Sequence, residues 1–479
     1  MRERTNHAKR RTLRNLALLG WTSLGPLWSS LASPLAQAAS STQAGPRMTN
    51  MIGANGWAGS DSDTAMWKRM GITWARGAVG PGQPHGASDA VRVDKTGNAS
   101  DVDLPPIILH NNRNGIHSLL FLGYTPVWNA SVPGDSKSAP VDVHAWERYV
   151  DAVVTKYRAP PYNVRYFQIW NEAAGKLSGG SPQATFWHGA TRPDIADPDH
   201  APYERAMQDY VEKIHIPAAR IIRSHDAYVV YGGWPDQGGL QTFSEWLEYR
   251  SPKYNQRMLD CVDYLDTHYL WVKDFDYLYD RYVKNGPARG LWQTEIGDRF
   301  MIDNHYLPSY FFQFAVWALD RNWDDPNKYV SMVYHWDGVE PFRLTHRGPP
   351  ERTYNASGRS LIVLNQTVGG VLSRLPQKLQ LGDDVTGSAL YSDKSIVMQV
   401  SAPPGWRTVD IDGVAAPSSG RASVQFIDAL SGTVSPASDA VLKWSDQTLS
   451  VRFKVPARVN GQGAKGAPRH LAYLVVRAS

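Results

Sequence analysis

Cysteine is nearly absent. Cys261 is the one thiol in 479 residues, which excludes a disulfide-stapled scaffold and any paired-thiol redox or metal motif. Charge of one sign is absent as well, once its source is located. The formal +5 comes wholly from residues 1–38, where Arg2, Arg4, Lys9, Arg10, Arg11 and Arg14 outnumber Glu3. The remainder carries 44 basic and 44 acidic side chains. The long-range positive field that a nucleic-acid binder needs is missing. Beyond residue 38 no stretch reaches the roughly 18 uninterrupted apolar residues of a membrane helix, so the mature form is expected to have no membrane contact. His-Glu-x-x-His and calcium-loop patterns are missing too, and no Gly-x-Gly-x-x-Gly opens a helix after a strand, so neither a metal ion nor a cofactor is expected. The Gly-x-Ser-x-Gly turn of one serine-hydrolase design is also missing.

What is present is core material. Hydrophobic residues make up 42% and aromatics 11%, ample for a large buried interior. The first 38 residues have a basic start ending at Arg14, an apolar stretch from Leu16 to Leu35 and a small-residue close at Ala36-Gln37-Ala38. That is signal-peptide anatomy, and it predicts export to the periplasm or the exterior. Arg10-Arg11 followed by Thr12-Leu13 leaves the ordinary and twin-arginine export routes both open.

Residues 39–375 read as one α/β unit. Strand candidates are Met51–Asn55, Ile72–Arg76, Ser118–Tyr124, Val164–Trp170, Tyr228–Gly232, Val262–His268, Gly290–Glu295 and Tyr329–Trp336. Helical patterns lie between them, as at His144–Lys156 and at Tyr203–Arg223, with a kink expected at Pro217. Eight strands with interleaved helices predict a (β/α)₈ TIM barrel. The last barrel helix is expected over Ser357–Leu372. From residue 376 to 479 short alternating segments separated by Gly, Pro, Ser or Asp predict an antiparallel β-sandwich.

Two glutamates end barrel strands. Tyr166-Phe167-Gln168-Ile169-Trp170-Asn171-Glu172 places Glu172 after strand four, and Leu291-Trp292-Gln293-Thr294-Glu295 places Glu295 on strand seven. A carboxylate following a buried apolar strand is costly unless it has a partner or a task. The C-terminal strand ends of such a barrel surround its site. Two carboxyl groups across one pocket suit acetal hydrolysis, one held protonated to give a proton to the leaving oxygen and one kept ionised to attack the anomeric carbon. Spacing along the chain does not distinguish retention from inversion.

Ile169-Trp170-Asn171-Glu172 resembles the strand-four motif of glycoside hydrolase clan A, and Thr294-Glu295 resembles that clan's strand-seven motif. The resemblance implies a retaining mechanism, with Glu172 as acid/base and Glu295 as nucleophile. It implies that Asn171 meets the sugar 2-hydroxyl, that Arg76 keeps the nucleophile ionised, that His268 and Tyr269 lie near it, and that Trp336 stacks on a sugar. Within the clan the chain looks most like family 39, which joins a barrel to a β-sandwich. Where the clan motif usually continues with proline, Ala173-Ala174 follows.

Further sugar-platform candidates are Trp128, Trp234, Trp187 and Trp271, and Asp236 and Asp337 are candidate hydroxyl partners. The long stretch from Gly175 to Pro202 reads as a wall or lid. These features predict a secreted glycosidase acting on a polysaccharide or oligosaccharide, of the bacterial exopolysaccharide kind. An exo-acting β-xylosidase-like enzyme stays open, as does a carbohydrate-binding component of a polysaccharide export system without turnover. The sugar, the linkage and the oligomeric state are not legible.

Overall fold

Each barrel strand is a short run of apolar and β-branched or aromatic residues bounded by turn formers. The computed structural model describes residues 45–82, 91–96, 98–101, 104–174, 186–189, 202–233, 239–297, 305–334, 344–346, 352–416, 422–462 and 467–478. The signal-peptide expectation therefore lies outside the described residues, as do Trp234, Asp236, Trp336 and Asp337.

Eight parallel strands close a barrel in chain order. They are β1 (Ile52–Asn55), β2 (Trp74–Gly80), β3 (His117–Leu122), β4 (Tyr166–Ile169), β5 (Tyr228–Tyr231), β6 (Tyr264–His268), β7 (Gly290–Ile296) and β8 (Tyr329–Val333). Gly53 on β1 is paired with Trp74 and Met332, and a Cβ there would come within 2.6 Å of the Met332 side chain. Helices such as Val143–Arg158 and Tyr306–Asp320 wrap the outside. Asp142 caps the first of these by accepting from the His144 N–H at 2.9 Å.

The expected kink at Pro217 takes a particular form. Pro217 has no N–H to give to the turn before it. The chain accommodates this with a widened turn over Tyr210–His215, and the Ile216 N–H bonds the Val211 carbonyl five residues back. A regular helix, Ile216–Ser224, follows. The final barrel helix spans Ala356–Thr367 and stops earlier than expected, with Gly369 and Gly370 close behind it.

Inside the barrel, period-two alternation builds layers. Trp74, Tyr166, Tyr264 and Trp292 form an aromatic floor, with Trp74 and Trp292 centroids 5.0 Å apart in an edge contact. Two residues further along the same strands come Arg76, Gln168, Asp266 and Thr294, all buried. The barrel thus changes from apolar to polar at one level, and the polar level opens toward the C-terminal strand ends.

The sandwich begins with β9 (Leu372–Arg374) and β10 (Lys378–Leu381), followed by β11 (Thr386–Ser392), β12 (Ser395–Ala402), β13 (Gly405–Asp412), β14 (Ala422–Asp428), β15 (Ala440–Ser445), β16 (Thr448–Val455) and β17 (Pro468–Ala478). One antiparallel sheet runs β9-β11-β12-β17-β14 and the other β10-β13-β16-β15. Met398, Val400, Val409, Ile411, Phe453 and Leu474 fill the space between them. The alternate residues of β12 face the barrel. Val397 joins the barrel core, and Gln399 donates to the Pro308 carbonyl at 2.9 Å.

Candidate active site

Arg76 is the organising cation of the polar layer. It is buried at the core of the barrel mouth, and its guanidinium donates to Gln168 (2.6 Å), Asn55 (2.6 Å), Asn171 (2.6 Å) and Glu295 (2.8 Å). The planar fork lets one side chain fix residues from β1, β4 and β7 at once. Its ion pair with Glu295 is almost wholly shielded from water, at 5% and 8% side-chain exposure.

Glu172 and Asn171 reach the same hollow because β4 ends irregularly. Trp170 and Glu172 both take left-handed backbone, at φ 65° and 45°. Non-glycine residues in that region cost about 1–3 kcal/mol each, and such strain gathers where geometry serves a site. Local bonds hold it. The Trp170 indole donates to the Phe186 carbonyl (2.7 Å), and the Glu172 N–H donates to Gly232 (2.6 Å).

His268 and Tyr269 are consecutive, so strand alternation would send them to opposite faces. A register shift after Thr267 and left-handed backbone at Tyr269 (φ 57°) bring both to Glu295. The Tyr269 hydroxyl donates to Glu295 Oε2 at 3.0 Å. His268 Nδ1 lies 2.7 Å from Glu172 Oε1 and 3.6 Å from Glu295 Oε2. Gly233 backs the imidazole so closely that a Cβ there would sit 2.5 Å from His268 Nε2.

A carboxylate oxygen of Glu172 and one of Glu295 lie within 4.8 Å of each other, with His268 Nδ1 in the same cluster. Such a set has the donor atoms of a metal site. Here Arg76, Tyr269 and His268 meet three of the four carboxylate oxygens, so protein groups supply balancing charge and hydrogen bonds. Burial raises the Glu172 carboxyl above its ordinary value against the opposing pull of His268. Burial also works to raise Glu295, but the charges of His268 and Arg76 and the hydrogen bonds from Arg76 and Tyr269 outweigh it and lower that carboxyl. For His268, burial pulls the imidazole down. Glu295, Asp266 and Glu172 together push it up to about 10.

The aromatic candidates divide. Trp187 is fully buried, donates to the Ala206 carbonyl (2.7 Å) and meets Trp170 edge-on, so it is core and not a sugar platform. Sequence spacing could not show that residues 186–189 fold back under the strand ends. Trp128 sits in a short turn, donates to the Val93 carbonyl (3.2 Å) and lines a hollow with Pro126, Asn129 and Trp146. Trp271 stands 56% exposed, with its edge toward Tyr306.

Several site residues escape the sequence reading. Asn55, Gln168, Asp266, Thr294, Tyr124 and Tyr334 all contribute. The Tyr334 ring lies 6.2 Å from Tyr269, and its phenol is pushed up to about 12 by burial and by Glu295 and Glu172. Tyr124 is buried against Asn171. The signal that could find Gln168 and Asp266 is their polarity in the middle of buried apolar strands.

No protein-family model matches the sequence, and no curated protein matches it. Solved structures do match the fold. A family 30 glycoside hydrolase, an endoxylanase from Clostridium papyrosolvens, superposes with TM-score 0.53 at 15% identity, covering 91% of this chain and 98% of that one. A glucosidase from Croceicoccus marinus gives 0.52 at 11% identity, covering 91% and 97%. These likenesses show the fold. A family 39 glycoside hydrolase from Bacteroides cellulosilyticus gives 0.49 at 13% identity, covering 90% and 82%. Coverage of nine-tenths means that the likeness to the first two spans both the barrel and the sandwich.

Proposed function

We propose that this protein is a secreted, retaining glycoside hydrolase that cleaves β-glycosidic bonds in a polysaccharide, of the bacterial exopolysaccharide kind. The observation that carries the proposal is the facing pair Glu172 and Glu295, no more than 4.8 Å apart at their nearest cluster atoms and shifted in opposite directions. Retaining pairs stand about 5–5.5 Å apart, and inverting pairs about 6.5–9.5 Å. A raised carboxyl opposite a lowered one is the division of labour between acid and nucleophile.

Glu172 gives its proton to the glycosidic oxygen as that bond to the anomeric carbon breaks. A Glu295 oxygen bonds to the carbon. Water then replaces Glu295, and Glu172 takes up the water's proton. Arg76 and Tyr269 keep the nucleophile ionised and aimed. Asn171 accepts from Arg76 through its oxygen, and its amide group has two hydrogens, one to meet Tyr124 and one to donate to a sugar hydroxyl. The basic-then-apolar leader supports export. The names endoxylanase and glucosidase borne by similar folds support a glycosidic substrate.

The test is product analysis on polymeric β-glycans and aryl β-glycosides. Polymer shortening without monosaccharide release supports the endo reading, and monosaccharide alone turns it into an exo enzyme. If Glu295→Gln leaves the biological effect intact, the protein binds carbohydrate without turnover.

A further inference from the structure

Asp266 has no exposure to solvent, yet it is a carboxylate in a barrel interior. Such a group needs partners. The Thr294 N–H donates to its Oδ1 at 2.9 Å, and the Thr294 hydroxyl and Gln168 Nε2 donate to its Oδ2 at 2.8 and 2.9 Å. It lies 3.5 Å from His268 Nε2, with Thr294 Oγ1 nearer to that nitrogen at 3.0 Å.

A hydroxyl has a single hydrogen. Thr294 gives its hydrogen to Asp266, so its oxygen is an acceptor toward His268. Nε2 must then carry a hydrogen. The nitrogen left to exchange protons is Nδ1, which faces Glu172 Oε1 at 2.7 Å. With neutral imidazole, Nδ1 accepts from a protonated Glu172. With imidazolium, Nδ1 donates to the carboxylate. In either arrangement one hydrogen sits on that line.

We propose that Asp266 and Thr294 are positioning residues that lock a proton on His268 Nε2, so that Nδ1 and Glu172 jointly hold the one proton the site donates and recovers. The proposal rests on the acid/base role given to Glu172. In the first step the pair loses one proton to the leaving oxygen. In the second it regains one from water, so the balance closes over the cycle. The ionisable groups around the imidazole are Glu172 after β4, Glu295 on β7, and Asp266 and Tyr269 on or beside its own strand. Beyond them stand Arg76 from β2, which acts on the two glutamates, and Tyr124 after β3 and Tyr334 after β8, whose phenols the glutamates raise. The net pull of the carboxylates holds the proton through neutral pH. Acid function ends as pH rises through the value of the pair.

The test uses the full chain with ¹⁵N-labelled histidine, His268 being assigned from the His268→Gln variant, together with pH profiles of kcat/KM. The wild type is expected to show Nε2 protonated across the whole range. Thr294→Val is expected to lose that signature and to move the alkaline limb to lower pH by about one unit. Slow-leaving substrates should lose about 10–100-fold in kcat, more than activated aryl glycosides. Thr294→Ser is expected to restore all three. A Thr294→Val protein with the wild-type ¹⁵N signature and limb overturns the proposal. If that variant does not fold, an unprotonated Nε2 in the wild type at neutral pH overturns it equally. A ¹⁵N response without any glycoside hydrolysis would sink the proposed function and leave the proton lock standing. Hydrolysis with no ¹⁵N response would do the reverse.

Discussion

Replacing Arg76 by Met removes the one cation that ties β1, β4 and β7 together. The side chain keeps its apolar stem, so the change is chiefly electrostatic. Four hydrogen bonds are lost, and the one to Glu295 is a shielded ion pair. Breaking a buried pair by removing one partner costs about 3–5 kcal/mol, because the other charge is stranded. Glu295 answers by binding a proton. Its carboxyl now sits low because Arg76 and His268 outweigh burial, and without Arg76 it rises by about 1–3 units. A depressed carboxyl contributes stability above its unfolded value and loses it as pH falls through its folded value. The wild type should therefore keep activity and stability further into acid than the variant. The assays are the acid limb of kcat/KM and denaturant unfolding at pH 7 and pH 5. The variant's acid limb should move up by at least one unit, and its stability should fall by about 3 kcal/mol or more at pH 7. The deficit should be smaller at pH 5, where the variant's raised Glu295 carboxyl takes up a proton and no longer strands a buried charge, while the wild type keeps its ion pair. An unmoved limb with unchanged unfolding would refute the assignment of Arg76 as the group that keeps Glu295 ionised.

Tyr269→Phe removes one hydrogen bond to a charged acceptor. It should cost about 1.5–3 kcal/mol of transition-state stabilisation, roughly 10–150-fold in kcat/KM, with the acid limb moving up. Gly233→Ala forces a Cβ to within 2.5 Å of His268 Nε2 at a left-handed position. Activity should collapse, and a crystal structure should show the imidazole displaced from Glu172. An unmoved ring would contradict the contact. Gln399→Leu removes the bond to Pro308 that joins sandwich to barrel. It should lower stability by about 1 kcal/mol while leaving KM unchanged.

The barrel was legible because each strand is a compact apolar run and each helix has its own period. Glu172 and Glu295 were legible as carboxylates at strand ends, Arg76 and His268 through the clan resemblance, and the fold brings all four into one hollow. The direction of Tyr269 was not, because a register shift and left-handed backbone break the alternation on which such a reading depends. Gln168, Asp266 and Thr294 lie one layer deeper, where polarity matters only once neighbouring strands are in register. Trp187 misled because composition does not distinguish a loop Trp turned under the barrel from one turned outward. β9 escaped because Leu372 was read as the end of the last barrel helix and the two residues after it face solvent, so they carry little apolar signal.

Retention by this pair turns on which glutamate bonds to the sugar. Incubation with a panel of activated 2-fluoro β-glycosides, followed by peptide mass spectrometry, addresses that directly. A glycosyl adduct on the peptide containing Glu295 is expected, with burst release of the aryl group. Steady hydrolysis with no adduct, or an adduct on Glu172, would contradict it.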